Sequence, residues 1–167
     1  EGSISKNDIR FVFVGLHAYP DTKNDFYYQR LLKMKVIEEV GQVTHKDSIG
    51  YLITSDILLL GSARTVGSDY IVPSKTYEYL ASGKMILVLS YDGSFLTNLI
   101  KEMDSGWAIP FYDVEAIKKA LLELYRLFKN NKLPQFNNDG KLERLERRNL
   151  TQKLAELFDK AYETTSN

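Results

Sequence analysis

The chain contains no cysteine, which excludes disulfide frameworks, thiolate metal sites and cysteine nucleophiles and is typical of a reducing compartment. It has no excess of either charge, because 22 Lys and Arg balance 22 Asp and Glu, and this disfavours a nucleic-acid binder. No apolar run approaches the roughly 20 residues that cross a bilayer, and the amino-terminal residues lack the profile of a signal peptide. We therefore expect a cytoplasmic protein. The basic region 129–153 leaves peripheral association at the inner face of the membrane open.

Short apolar runs alternate with segments of helical periodicity along most of the chain. Five runs predict strands, at residues 9–14, 36–43, 57–60, 85–89 and 107–110. Six helices are predicted at residues 25–33, 46–54, 73–83, 95–103, 115–129 and 142–162. This order predicts an α/β fold with a doubly wound, mainly parallel sheet and helices on both faces, which is a Rossmann-like architecture.

A length of 167 residues fits a single domain. We expect its α/β core over residues 8–128 and a basic linker with a C-terminal amphipathic helix over residues 129–167. The composition of residues 9–14 is that of a strand buried on both faces. The last helix carries apolar residues on one side, and these are Leu150, Leu154, Leu157, Phe158 and Ala161.

Ligands of open α/β sheets bind at the carboxyl ends of the strands, so the loops after the predicted strands are the place to look for a site. Gly15 closes the first strand, but the second and third glycines of a dinucleotide fingerprint do not follow it, so no NAD or FAD site is expected. Arg64, in the loop after the third strand, could pair with a diphosphate. The only histidines, His17 and His45, are expected to lie in surface loops, and no metal site is expected.

The segment PSKTYEYLASGK, residues 73–84, begins a helix at this edge and precedes the most apolar strand. Free amides at a helix start attract anions, and Ser74, Lys75 and Thr76 would add donors for a diphosphate. Glu78, one turn further, could accept hydrogen bonds from ribose hydroxyls. The alternative from spacing alone is that Ser74 caps the helix, Lys75 is solvated and Glu78 stabilises the first turn.

The same segment resembles the donor-site signature of GT-B glycosyltransferases of the family 4, or group 1, type, which reads Pro-x-Lys-x-x-Glu-Tyr-Leu-Ala-x-Gly-Lys. Flanking pieces occur in the family's order, at residues 40–43 (VGQV), 55–60 (SDILLL) and 100–121. The resemblance implies the C-terminal, Rossmann-like half of a GT-B enzyme, which binds a nucleoside-diphosphate sugar. The N-terminal acceptor domain would be missing, so this piece alone is expected to be inactive.

The resemblance also implies roles for individual residues. Glu78 would bind the ribose, and Ser74, Lys75 and Thr76 would face the diphosphate. The loop after the second strand would contact the base, which makes Gln42, Val43 and Thr44 candidates. Relatives often carry an acidic residue eight positions before the ribose Glu; Tyr70 stands there, and the neighbouring Asp69 is a candidate substitute. Gly15 and Arg64 complete the candidate donor site, and no catalytic residue is assigned.

The implied reaction is hexosyl transfer from a nucleoside-diphosphate sugar, such as a UDP- or GDP-sugar, with retention and without a metal or other cofactor. The acceptor, a glycan, lipid or small molecule, would be bound through the missing domain. Two alternatives stay open from the sequence: a sugar-nucleotide epimerase domain of the same architecture, and a non-catalytic α/β interaction module.

Overall fold

A computed structural model describes residues 4–15, 25–61, 67–137 and 140–165. Its strands are β1 (Phe11–Val14), β2 (Ile37–Val40), β3 (Ile57–Gly61), β4 (Met85–Ser90) and β5 (Gly106–Pro110). Its α-helices are α1 (Phe26–Lys33), α2 (His45–Thr54), α3 (Lys75–Ala81), α4 (Phe95–Met103), α5 (Val114–Lys129) and α6 (Arg147–Thr165). Short 3₁₀ turns occur at Ser68–Tyr70 and Glu143–Leu145.

These elements form an α/β, Rossmann-like fold with parallel strands, as the alternation of runs predicts. The strands belong to two sheets, one of order β1-β2 and one of order β3-β4-β5. The chain also divides into two compact units, Glu1–Leu58 with Pro110–Leu133, and Leu59–Ile109 with Pro134–Asn167. We call these the first and the second unit. The single domain expected from length stays a prediction.

The first sheet pairs β1 with β2 in parallel, with Phe11 opposite Ile37 and Val14 opposite Val40. The Phe11 amide donates to the Val36 carbonyl oxygen at 2.8 Å, which begins the ladder. All four residues of β1 are half-buried, so the prediction of a strand buried on both faces is wrong. The apolar composition is right for a strand, but a two-stranded sheet covers little of its own side chains.

The second sheet contains the main core of its unit. Five of the six residues of β4 are buried, in agreement with its apolar sequence. Helix α4 buries Leu96, Ile100 and Met103, which are spaced at three and four residues and therefore share one helix face. Fully burying each such side chain stabilises the fold by about 1.5 to 3 kcal/mol. β4 and α4 thus fix the two ends of the loop that joins them.

Side-chain caps fix the starts of four helices. The side chains of Asp25, Thr44, Ser94 and Asp113 each accept a hydrogen bond from the backbone amide three residues later. Each cap satisfies an amide that has no carbonyl partner within the helix. Helix α4 has the bounds predicted from the sequence.

The C-terminal region differs from the single helix predicted over residues 142–162. A 3₁₀ turn at Glu143–Leu145 comes first, Glu146 is extended with ψ 139°, and α6 begins only at Arg147. Arg144 donates to a Glu102 carboxylate oxygen at 2.5 Å, and Lys141 donates to the Met103 carbonyl oxygen at 3.4 Å. These contacts hold the turn against the end of α4. The predicted helix is therefore interrupted at Glu146, before α6 begins. Within the described residues, no helix is long and apolar enough to cross a membrane.

Candidate functional site

The start of α3 is more tightly closed than the sequence predicts. Ser74 already has helical angles, φ −57° and ψ −33°, and its side chain makes no capping hydrogen bond. The amides of Thr76 and Tyr77 donate to the carbonyl oxygens of Pro73 and Ser74, at 2.9 and 3.2 Å. Two amides expected to be free for an anion are therefore already used, and the alternative role of Ser74 as a side-chain cap is also wrong. Ser74 thus already belongs to the first helical turn, which accounts for both differences.

Thr76 lies on the inner side of α3 and has no exposed surface. Its hydroxyl oxygen has no hydrogen-bond partner among the described residues. A side chain in this position cannot reach a ligand at the surface, so the expected contact of Thr76 with a diphosphate is not available to its hydroxyl. Leu80, four residues later on the same helix face, is also fully buried. Thr76 thus belongs to the packing of α3.

Three of the four residues of the segment assigned to the donor are exposed: Ser74, Lys75 and Glu78. Ser74 and Glu78 are four residues apart and Lys75 and Glu78 three apart, so they are neighbours on one side of the first turn. Lys75 and Glu78 form no ion pair with each other. An ammonium, a hydroxyl and a carboxylate are therefore held close together within one turn of helix, with their polar atoms open to solvent.

The rest of the segment is explained by folding. Gly83 has φ 67°, which favours glycine, and a Cβ there would lie 2.8 Å from the Phe136 carbonyl oxygen. The Phe136 amide donates to the Gly83 carbonyl oxygen at 2.8 Å, so the two backbones run in contact. Partial burial raises the pKa of the Tyr79 hydroxyl, and the Glu78 carboxylate raises it further.

A buried hydroxyl network, which was not predicted from the sequence, lies where β4 leads into α4. The Ser90 and Ser94 hydroxyls are 2.9 Å apart, Ser94 donates to the Thr97 hydroxyl at 3.0 Å, and Thr97 donates to the Tyr91 carbonyl oxygen at 3.0 Å. All three side chains are buried. The network could have been predicted from the small hydroxyl residues at the end of an apolar strand and at the cap of the next helix. The network fixes the first turn of α4.

Asp69 and Tyr70 lie in the 3₁₀ turn after β3, and both are exposed. The Tyr70 ring contacts the exposed Phe95 ring at the start of α4, with 5.6 Å between ring centroids. Asp69 makes no ion pair with a described residue and is available as an acceptor of hydrogen bonds. Its role as a substitute acidic residue stays a prediction.

Four other candidates belong to the first unit. The Gly15 amide donates to the carbonyl oxygens of Val40 and Gly41, at 3.0 and 3.2 Å, so this amide is not free for a ligand. Thr44 caps α2, since its hydroxyl accepts from the Asp47 amide and donates to the Asp47 carboxylate at 2.7 Å. Gln42 is exposed and Val43 half-buried in the same loop.

Two residues weighed in the sequence, Arg64 and His17, lie outside the described residues. His45 is exposed at the first turn of α2. Among the residues that the structure describes, no three His, Asp or Glu side chains are grouped so that they could hold a metal ion.

Comparison with protein-family models, with curated proteins and with solved structures finds no match to this chain. The support for a function therefore comes from the chain's own residues and from the resemblance of residues 73–84 to the family 4 donor-site signature.

We expect Thr76→Val to stabilise the protein, because a buried hydroxyl without a partner costs about 1 to 3 kcal/mol and valine has nearly the same shape. Chemical denaturation should show a free energy of unfolding that is higher by about 1 kcal/mol. Thr97→Val is the matched control and should lower that free energy, because it removes two hydroxyl hydrogen bonds from the network at α4. Equal losses in both variants would mean that the Thr76 hydroxyl has a partner.

Proposed function

We propose that this chain binds a nucleoside-diphosphate sugar as the donor-binding half of a glycosyltransferase. The observation that carries the proposal is the exposed group of Ser74, Lys75 and Glu78 at the start of α3. The resemblance of the segment to the family 4 signature assigns these three residues and Thr76 to the donor, and Thr76 is buried. The Rossmann-like fold supports the proposal, since such folds bind nucleotides where strands lead into helices.

The chemistry of this group suits the two ends of a nucleoside diphosphate. The Lys75 ammonium and the Ser74 hydroxyl can donate hydrogen bonds to phosphate oxygens, and a charged donor gives the stronger bond. The Glu78 carboxylate can accept hydrogen bonds from both ribose hydroxyls. Because α3 has only seven residues and the amides of Thr76 and Tyr77 are used, the side chains rather than the helix terminus would provide most of the attraction.

In the proposed reaction the diphosphate leaves with the electron pair of the bond to the sugar. Lys75 and Ser74 would stabilise the negative charge that develops on the leaving phosphate oxygens, which lowers the barrier without a covalent intermediate on this chain. The acceptor would be bound by another domain. Transfer with retention, as the resemblance implies, remains part of the proposal.

Isothermal titration calorimetry with UDP, GDP, uridine and guanosine tests the proposal. We expect at least one diphosphate to bind more tightly than its nucleoside, because only the diphosphate meets Lys75 and Ser74. Lys75→Ala should weaken diphosphate binding roughly tenfold, the loss expected for one charge-assisted hydrogen bond, and leave nucleoside binding unchanged.

Lys119→Ala is the control for this titration, since Lys119 is an exposed lysine on α5. It should leave both affinities at the wild-type value. Failure of every nucleoside diphosphate to bind, or an equal loss in the Lys75 and Lys119 variants, would refute the proposed site.

A further inference from the structure

Helix α6 exposes large apolar side chains along much of its length. Every side chain described from Leu150 to Thr164 is exposed, and the firm contacts of α6 are with the 3₁₀ turn at Glu143–Leu145. The Asn149 side chain donates to the Glu143 carbonyl oxygen, and the Leu150 amide donates to the Glu146 carbonyl oxygen at 3.0 Å. The helix is therefore attached at its beginning, and the side chains from Leu150 to Lys160 are exposed.

The exposed apolar side chains of α6 form one stripe. At about 100° per residue, Leu150, Leu154, Leu157 and Phe158 fall within an arc of roughly 100° around the helix axis. Their exposed fractions are 48%, 50%, 62% and 66%. Large side chains left this open on one face of a helix indicate a surface that binds something apolar.

Two lysines of α6 lie beside the stripe, and an acidic residue lies on the other side of the helix. Lys153 and Lys160 lie about 40° and 60° beyond its Leu157 edge, whereas Glu156 lies nearly opposite the stripe. No described ion pair involves any of these three residues. Lysines beside an apolar stripe can extend their alkyl chains along it and place their ammonium groups at the level of lipid phosphates.

This arrangement favours a lipid surface over a second copy of the chain. If two α6 helices packed antiparallel through the stripe, the edge with Lys153 and Lys160 would face the same edge of its partner, and the lysines would repel each other. Anionic phosphates beside the stripe would instead attract both lysines. The acidic Glu156 would remain on the water side.

We infer that α6 is an interfacial helix that lies along an anionic phospholipid surface, with its leucine and phenylalanine stripe among the acyl chains and its bordering lysines at the phosphates. The inference does not depend on nucleotide binding and is separable from it. Affinity should rise with the anionic lipid content, because such helices bind through apolar burial together with electrostatic attraction.

Cosedimentation with vesicles tests the inference. The 167-residue chain should sediment with vesicles of phosphatidylcholine and phosphatidylglycerol and much less with phosphatidylcholine alone. Leu157→Asp should weaken binding at least about tenfold, since it places a charge within the buried stripe. Lys153→Glu with Lys160→Glu should also weaken it at least about tenfold, because each lysine near an anionic surface contributes a factor of roughly five.

Two matched controls accompany these variants. Ile53→Asp changes a side chain on α2 that is 59% exposed, close to the 62% of Leu157, and should leave vesicle binding intact. Lys118→Glu with Lys119→Glu reverses two exposed lysines on α5 and should have only a small effect. Circular dichroism of each variant checks that the helices remain.

Three results would overturn the inference. The chain could stay in the supernatant with anionic vesicles, or Leu157→Asp could bind as well as the wild type. Light scattering could instead show a dimer in solution that Leu157→Asp dissociates while no vesicle binding occurs. That last result would assign the stripe to a second copy of the chain.

Discussion

Gly106→Ala should unfold the protein or come close to it. Gly106 is the first residue of β5, and a Cβ there would lie 1.9 Å from the Ile86 carbonyl oxygen and 2.7 Å from the Ile86 carbonyl carbon. The obstacle is the backbone of β4, which cannot rotate away as a side chain could. The Ile86 amide donates to the Ser105 carbonyl oxygen at 3.1 Å, so relieving the overlap would also disturb the pairing of the strands.

The expected loss of unfolding free energy is at least about 3 kcal/mol, the upper part of the range for overpacked cores. It should appear as a lower midpoint in urea or as loss of the cooperative transition. Gly50→Ala is the control, because Gly50 lies within α2 and a Cβ there meets nothing within 4 Å. It should stabilise the protein by roughly 0.5 to 1 kcal/mol. Equal midpoints for Gly106→Ala and the wild type would mean that β4 and β5 lie further apart.

The elements that could be predicted from the sequence are those whose signals are local. Helix α4 has the predicted bounds because its apolar residues repeat at helical spacing after a turn with Gly93 and the cap Ser94. Strand β4 is buried as its apolar run predicts. The close approach at Gly106 could not be predicted, because it depends on the distance between the backbones of β4 and β5. Residue types alone do not determine that distance.

The predictions for β1 and for the C-terminal helix failed because distant parts of the chain determine the structure there. The sequence of β1 is that of a buried strand, but burial is set by the elements around a strand, and β1 pairs only with β2 among the described strands. The helix predicted over residues 142–162 breaks at Glu146 because contacts of Arg144 and Lys141 with α4 hold the preceding turn. Helical periodicity cannot register contacts with residues some forty positions away in the sequence.

For the candidate site, the sequence placed the segment correctly at the start of a helix but did not separate inward from outward residues. The burial of Thr76 could have been predicted, because Thr76 and the apolar Leu80 are four residues apart and share a helix face. The helical angles of Ser74, and the hydrogen bonds that follow from them, could not be read from residue types. Within residues 73–84, Ser74, Lys75 and Glu78 are therefore the predicted donor residues that are exposed to a ligand.

Glu78→Ala should reduce the affinity for a nucleoside diphosphate by about 3 kcal/mol, roughly a hundredfold, if the carboxylate accepts two hydrogen bonds from the ribose. Glu78 is exposed in the first turn of α3, so its removal should change stability little. Glu78→Gln keeps the size of the side chain and one acceptor oxygen, and its loss should be intermediate. Glu115→Ala is the matched control, because Glu115 is an exposed acidic residue in the first turn of α5.

The most direct measurement is a calorimetric titration of the wild type and of the Glu78 and Glu115 variants with the diphosphate that binds best, repeated with its 2′,3′-dideoxy analogue. We predict that the wild type loses affinity for the analogue, that Glu78→Ala binds both ligands equally weakly, and that Glu115→Ala behaves as the wild type. If Glu78→Ala binds the diphosphate as tightly as the wild type does, the ribose is held elsewhere and the proposed site is wrong.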